Sequence, residues 1–531
     1  MKNVILFLMI CMPYFTMAQS PCALDNTFSG DGKIISDASR LAEHIIALPN
    51  GQSIVAYNAF GNGHVYLRRL QNDGSIDNTF GTAGKTTIQV ASISTDIKDM
   101  HLYNNQIYCC GSTSTGTNTY PFFARLSIDG ILDNSFGNGG INTNPQHYTY
   151  NSLVIEPGTG KILIAGMKDF DEIVVVRVHT SGYIDGNFGN LGETTFKTAN
   201  AGEYYETRHI NLDKDNKIVL TGKYYVTQGA TFSKTFIARL NTNGAKDNTF
   251  DNDAIAYYNS AVGNYDEGRR IFVNTLNDYY VCGAVWKVNQ DYDYSLMKVK
   301  NNAVLDNNFD LDGWKLYNIG GSSQEEYLLN GAMMPDGNIL MSGNQGSGDT
   351  VYFCLLMVKP DGSMDNNFAP NGVYKHIFGA NNNNSSSALA LSNDGKIYLG
   401  GYTRTCANGT CGPLSSGIAR YTGGQMPNAI VQAQENQKTI SIYPTCVSQN
   451  QWISLDIDHI EKQSIEIVNL NGQSISFELF QNKIKLLNTS QGIYLLKIKN
   501  KRPCKNNYQF FIGLYSIVIK IKMQKFSKHR T

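Results

Sequence analysis

The chain has 531 residues, long enough for a large core and for more than one domain. Lys plus Arg and Asp plus Glu number 44 each, so the formal charge is zero and nothing in the balance suggests a nucleic-acid or membrane-surface partner. Glycine (50), tyrosine (31) and phenylalanine (24) are high, and sustained apolar spacing of the i, i+3, i+4 kind is scarce, which is the texture of an all-β protein.

The first residues, MKNVILFLMICMPYFTMAQS, carry one lysine, an apolar run and a small-residue exit at Ala18. That pattern predicts a secretory signal peptide over 1–18, too short and wrongly flanked for a transmembrane span. The mature chain is therefore expected to be exported through the periplasm and to be secreted or held at the cell surface. Of the ten cysteines, Cys406 and Cys411 flank Asn408-Gly409, so a disulfide across a hairpin tip is expected in an oxidising compartment. A zinc knuckle there would need two more thiols or imidazoles nearby. Cys109 and Cys110 are adjacent on one expected strand, point to opposite faces and are not expected to pair with each other.

From residue 19 to 421 the chain repeats itself. In LQNDGSIDNTFGTAGK (70–85) stands Asp77, which recurs as Asp25, Asp133, Asp185, Asp247, Asp306 and Asp365, at intervals of 52, 56, 52, 62, 59 and 59 residues. Three positions after each Asp is a phenylalanine, and seven positions after it a glycine in six of seven copies, with Ala254 the exception. Eight positions before it stand Arg69, Arg125, Arg177, Arg239, Lys298 and Met357, and the last copy of that segment is IARY with Arg420. Each unit also holds a hairpin signal of turn residues between alternating apolar ones, such as ALPNGQSIVAY and LSNDGKIYLGG.

Each unit reads as four strands: one after the glycine loop, two joined by the hairpin, and an outer one carrying the Arg. The Asp-Phe loop is then expected to join the outer strand of one unit to the inner strand of the next. A single four-stranded sheet cannot cover both its faces, so the units are expected to pack radially as a seven-bladed β-propeller. The first copy lacks its preceding strand and the last lacks its following loop, so the C-terminal strand is expected to return beside the N-terminal segment. A linear β-solenoid, the alternative, would not need complementary ends.

FARLSIDGILDNSFGNGG (123–140) and LRRLQNDGSIDNTFGTAG (67–84) make this recurrence resemble the delta-60 repeat family of bacterial β-propellers. The resemblance implies a propeller on a secreted or surface protein and carries no catalytic residue set. The copies KDNTFDNDA and LDNNFDLDG drift from the pattern.

Residues 422–438 have a linker's composition, and 439–500 hold five short alternating segments, read as a small β-sandwich. Tyr443-Pro444, Asn471-Gly472 and Gly492-Ile493-Tyr494 make this part resemble the type IX secretion C-terminal sorting domain of Bacteroidetes-like bacteria. That resemblance implies the outer-membrane type IX secretion machinery as partner. Thr445-Cys446 stand where such domains have Asn-Pro, and 501–531 form a basic tail with eight Lys or Arg and no acid, atypical for the family.

Chemistry is sparse. DNNFDLDG (306–313) puts oxygen ligands at alternating positions, but an EF-hand loop needs glycine and an acid where Leu311 and Tyr317 stand. No helix follows the spaced glycines to cradle a phosphate. The histidines show no H-E-x-x-H spacing and no shared place in the repeat, and no G-x-S-x-G elbow occurs. Tyr224, Tyr225, Trp286 and Trp314 are candidates to stack on sugars, although burial between blades is the commoner fate of such rings. No catalytic residue, metal ligand or cofactor is assigned, and the binding residues are unidentified. The sequence reads as a monomeric surface binding or adhesion module for an extracellular glycan or protein. The alternatives are a glycan-active enzyme on the same scaffold and a structural surface component. A cluster of non-repeated Asp, Glu or His at the central channel would favour the enzyme.

Overall fold

The computed structural model describes residues 22–423 apart from 60–62, 92, 145–147, 170, 198–201, 228–231, 261, 288–290, 322–323 and 380–381. In the C-terminal part it describes 442–443, 446–448, 452–455, 465–469, 475–480, 483–487, 492–501 and 512–522. The expected signal peptide lies outside the described residues. The chain divides into two compact units, Met1–Val431 and Gln432–Thr531.

The first unit is a β-propeller. Blade 1 comprises Arg40–Ala47, Ser53–Ala59, Val65–Leu70 and Thr86–Ile88, paired antiparallel in that order. The same four-strand order recurs over 94–143, 148–197, 203–258, 263–317 and 325–376. A seventh set uses Asn382–Leu391, Ile397–Ala407 and Ser415–Thr422, and its fourth strand is Lys33–Ala38 from the other end of the chain. Each first strand lies against the first strand of the next set, and Asn382–Leu391 lies against Arg40–Ala47, so the seven first strands close a ring.

The second strands are buried on both faces, as the run Ile162, Leu163, Ile164 and Ala165 shows at 2 % exposure or less. Such strands read as continuous apolar runs because blades cover them from either side. Cys109 and Cys110 divide accordingly. Cys109 packs with Ile54, Leu67 and Phe80 of blade 1, and Cys110 with Tyr150 and Ile164 of blade 3. Both are free thiols. Every first strand carries a β-bulge, between Ala42 and His44 in blade 1 and between Ile97 and Asp99 in blade 2. The glycine that recurs on six of the seven second strands lies beneath it. A Cβ on Gly111 would stand 2.0 Å from the carbonyl of Asp96, and one on Gly166 1.7 Å from that of Thr149.

The Asp-Phe loop does not lead from one blade to the next. It joins the third strand to the fourth of the same blade: after Asp133 and Phe136, Ile141–Thr143 pairs back onto the strand that holds Arg125. The strand after the glycine is therefore the outermost of its own blade. Its glycine is required by backbone conformation, since Gly84 has φ +79°, and Ala254 takes the same left-handed region at +71°.

In the second unit, one sheet orders Ile442–Tyr443, Trp452–Leu455, Lys483–Leu486 and Phe477–Phe480. The other orders Cys446–Ser448, Ile512–Lys522, Gly492–Lys501 and Ile465–Asn469. Two four-stranded sheets fit the expected sandwich, but its boundary runs beyond 500. Part of the basic tail, Ile512–Lys522, is a strand that pairs antiparallel with Gly492–Lys501 from Gly492↔Ile521 to Lys501↔Ile512.

Candidate functional site

The recurring Arg, Asp and Phe form one structural module. In blade 1, Arg69 Nε donates to Asp77 Oδ2 at 2.8 Å, and Asp77 Oδ1 accepts the amide of Thr79 at 3.0 Å and its hydroxyl at 2.6 Å. Arg69 Nη1 reaches the Ile128 carbonyl at 3.1 Å in the turn of blade 2, while the guanidinium lies 5.4 Å over Phe80. Arg125, Arg177 and Arg239 bond in the same way to the carbonyls of Thr180, Thr242 and Asn301 in the following blade. The module is a blade-to-blade lock, and its carboxylates are spent on it. Lys298 keeps only the pair with its own Asp306, at 2.8 Å. Met357, at the junction into blade 7, brings no charge to that position.

Burial alone would raise the Asp77 carboxyl, but Thr79 and Arg69 outweigh it and hold it at about 2; Asp185 is held at about 2 by Lys161, the Asn187 amide and Arg177 against the same burial. A depressed folded pKa stabilises above the unfolded value of about 4 and loses that stabilisation as pH falls through the folded value. The propeller is therefore expected to lose stability between pH ~4 and ~2. Circular dichroism followed through an acid titration checks this, and a urea midpoint unchanged across that window would contradict it.

The inner strands carry a belt that the sequence concealed. The first residue after each bulge is His44, Asp99, Ser152, His209, Arg270, Asn330 and Ala388 in blades 1 to 7. His44 and His209 thus share a place in the repeat, contrary to expectation, and only the bulge register reveals it. Asp99 Oδ2 accepts from Ser152 Oγ at 2.8 Å and the Leu153 amide at 2.9 Å, and its Oδ1 accepts from the Met100 amide at 2.9 Å and lies 3.4 Å from His101 Nε2. The amide of Ile271 donates to His209 Nδ1 at 3.3 Å, and Arg270 Nε to Asn330 Oδ1 at 2.8 Å. Burial pushes His44 down to about 4 and His209 to about 3, so both are neutral near pH 7. Beside the belt, Arg208 bridges Glu206 and Glu267 at 2.6 Å each, and Arg269 meets Glu267 at 3.0 Å. Non-repeated acids and histidines do gather on the inner strands, yet their contacts, some within a strand and others from blade to blade, leave no carboxylate of Asp99 or Glu267 unengaged.

Of the four aromatic candidates, Tyr224 lines a groove. That groove, about 410 Å³, runs between blades 3 and 4 and is lined by Tyr205, Tyr224, Tyr257, Phe196, Lys246 and Asp253, with Glu203, Lys197, Lys234 and Ile255. The rings of Tyr224 and Tyr257 lie 4.7 Å apart, and Tyr257 is 38 % exposed. A second hollow, about 440 Å³, adjoins it at Lys246 and is lined by Asn187, Asn190, Glu193 and Asn243 among others. Tyr225 stacks with Tyr204 at 5.2 Å, Trp286 meets Tyr265 at 5.4 Å, and Trp314 is buried. Cys406 and Cys411 are bonded across their hairpin, with Cα atoms 4.0 Å apart. Tyr443 and Gly492, Ile493 and Tyr494 fall on strands, while Pro444, Asn471 and Gly472 lie outside the described residues.

Two family models match this chain. Residues 50–80 and 214–250 match a domain of unknown function (DUF5122), beta-propeller, and residues 441–512 match the secretion system C-terminal sorting domain. Two stretches of the propeller are thus similar to a family described by its fold. The sorting domain, of the type IX system, marks the chain for export to the cell surface or beyond. No helix among the described residues is long and apolar enough to cross a membrane. No curated protein matches the chain.

Among solved structures, a protein of unknown function from Dyadobacter fermentans is 8 % identical, with 76 % of this chain and 98 % of that one covered and a TM-score of 0.34. The polysaccharide lyase Uly1 is 13 % identical, with 72 % and 90 % covered and a TM-score of 0.42. PorZ of Porphyromonas gingivalis, described as a surface component of the type IX secretion system, is 11 % identical, with 88 % and 64 % covered and a TM-score of 0.28. Likenesses this loose carry no argument about ligand or activity.

Proposed function

We propose that this surface-delivered propeller is a binding module that takes an extracellular glycan in the tyrosine-lined groove between blades 3 and 4. The observation that carries the reading is where the groove lies. Its wall includes Asp253 and Ile255, on either side of Ala254, where the recurring glycine is lost. Seven of its ten lining residues also lie in the longest interval, 62 residues from Asp185 to Asp247. Positions that keep the repeat serve the ring, so a ligand site is sought where the repeat departs from itself. The groove volume lies within the ordinary range for ligand sites, roughly 300–1,000 Å³. Tyrosine faces suit the apolar face of a sugar ring, and the lysines, Glu203 and Asp253 around them suit its hydroxyls. The inner-strand belt supports binding over catalysis, because its charges are consumed in holding blades together.

The test is a glycan array probed with the mature chain, followed by titration of any glycan retained. Tyr257→Ala is expected to weaken binding at least ~tenfold with an unchanged circular dichroism spectrum. Tyr225→Ala, on the other face of the strand, is expected to leave it unchanged. Retention of no glycan, or equal binding by Tyr257→Ala, would refute the reading.

A further inference from the structure

A second cluster stands apart from the groove, at the junction of blades 5 and 6. Asp291 and Asp293 belong to the start of the third strand of blade 5, and Glu326 to the first strand of blade 6. One carboxylate oxygen from each lies within 4.8 Å of the others. Asp291 and Asp293 are 5 % and 3 % exposed, and Glu326 is fully buried at 0 %. Among the described residues, neither oxygen of Glu326 nor Oδ1 of Asp293 has a hydrogen-bond partner, and Asp291 has only an ion pair. Lys287 is the one cation in contact among the described residues, 2.9 Å from Asp293 Oδ2 and 3.3 Å from Asp291 Oδ1.

An unpartnered buried carboxylate is costly, and three gathered together are costlier. Here Glu326 arrives from another blade, and its unbonded head is aimed into the aspartate pair rather than away from it. Gly320 packs closely beside it, since a Cβ there would stand 2.3 Å from Glu326 Oε1. Three carboxylates against a single ammonium leave two negative charges, the charge of one divalent cation.

We infer that Asp291, Asp293 and Glu326 form a binding site for a hard divalent cation of the calcium class, which ties blade 5 to blade 6. Oxygen-only donors select such a cation over the transition metals, and a destination outside the cell supplies it. The place is apt. At this junction the repeated arginine is Lys298, which reaches its own aspartate, and the carbonyl of Pro360 in the following blade is met by the Tyr280 hydroxyl at 2.8 Å, so a neutral bond stands in place of the arginine lock.

The experiment uses the full mature chain stripped with EDTA and titrated with CaCl₂ by calorimetry, with thermal unfolding in parallel. One site per chain is expected, with a dissociation constant on the order of 10⁻⁴ to 10⁻³ M and a Tm that rises with calcium. Glu326→Gln, which keeps the volume, is expected to weaken binding at least ~tenfold. Should that variant fail to fold, Asp291→Asn at the rim gives the same readout. Asp251→Asn, an exposed acid of blade 4, is expected to bind as the parent does. Three results would overturn the site: no heat and no Tm change up to about 10 mM calcium, parental binding by Glu326→Gln and Asp291→Asn, or a Glu326→Gln chain that is more stable at neutral pH and indifferent to calcium. The last would mean that the three acids share a proton instead.

Discussion

Replacing Arg420 by alanine is expected to cost about 3–5 kcal/mol of stability, the range for removing one partner of a buried ion pair. Its side chain is 1 % exposed and holds four groups at once. Nε meets Asp25 Oδ2 at 2.8 Å, Nη1 meets the Asn72 carbonyl at 2.6 Å, Nη2 meets Thr27 Oγ1 at 2.8 Å, and the guanidinium lies 4.7 Å over Phe28. In the other blades the equivalent contact spans eight residues of chain; here it spans 395. The substitution leaves Asp25 with Lys396, at 3.0 Å, and Thr27, and frees the segment that Lys33–Ala38 anchors to the last blade. Arg420→Lys should fall between, because an ammonium keeps the charge and loses the fork that reaches several acceptors. Urea unfolding of the mature chain measures the loss, and limited proteolysis should show early cleavage near residue 30. A loss below ~1 kcal/mol, the size of an exposed pair, would mean that this contact does not hold the ring closed.

Phe136→Ala is expected to cost about 3–5 kcal/mol, the ordinary range for truncating a core phenylalanine. The ring is fully buried, meets Phe123 and Tyr108 edge to face at 5.9 and 6.1 Å, and lies 4.4 Å beneath the guanidinium of Arg125. Blade 3 closes over it: a Cβ on Gly182 would stand 3.0 Å from the Phe136 carbonyl carbon. The cavity would therefore open at a junction between blades, where neither sheet can collapse without breaking the register of the other. Phe136→Leu should lose distinctly less. The comparison is made by denaturant midpoint at constant m, and equal values for the two variants would show that the ring's volume is not what matters.

The ring, its repeat and its closure were legible because the same residues recur at fixed offsets and the two chain ends are complementary. The place of the Asp-Phe loop was not. The strand that follows it is only three residues long in Thr86–Ile88 and Ile141–Thr143, too short to declare its partner by pattern. Pairing alone shows that it turns back on the arginine strand. The inner belt was hidden for a different reason. His44, Asp99, His209 and Arg270 are different residue types at one structural position, and a repeat search looks for sameness. The acidic cluster was hidden by distance, since Glu326 is remote in sequence from Asp291 and Asp293 and meets them only when blade 6 docks. Of the aromatic candidates, Tyr224 lines the groove; Tyr257 could have been found by its place beside the lost glycine at Ala254, whereas Tyr205 joins them only through the fold.

The borrowed fourth strand of blade 7 has a consequence for the integrity of what leaves the cell. The partner of Lys33–Ala38 is Ser415–Thr422, and the sorting domain matches from residue 441 onward. A chain cut short anywhere before Ser415 leaves its first strand unpaired and its ring open, and it also lacks the export address. The address is thus written behind the clasp, so any molecule able to present it also carries every piece needed to close the ring.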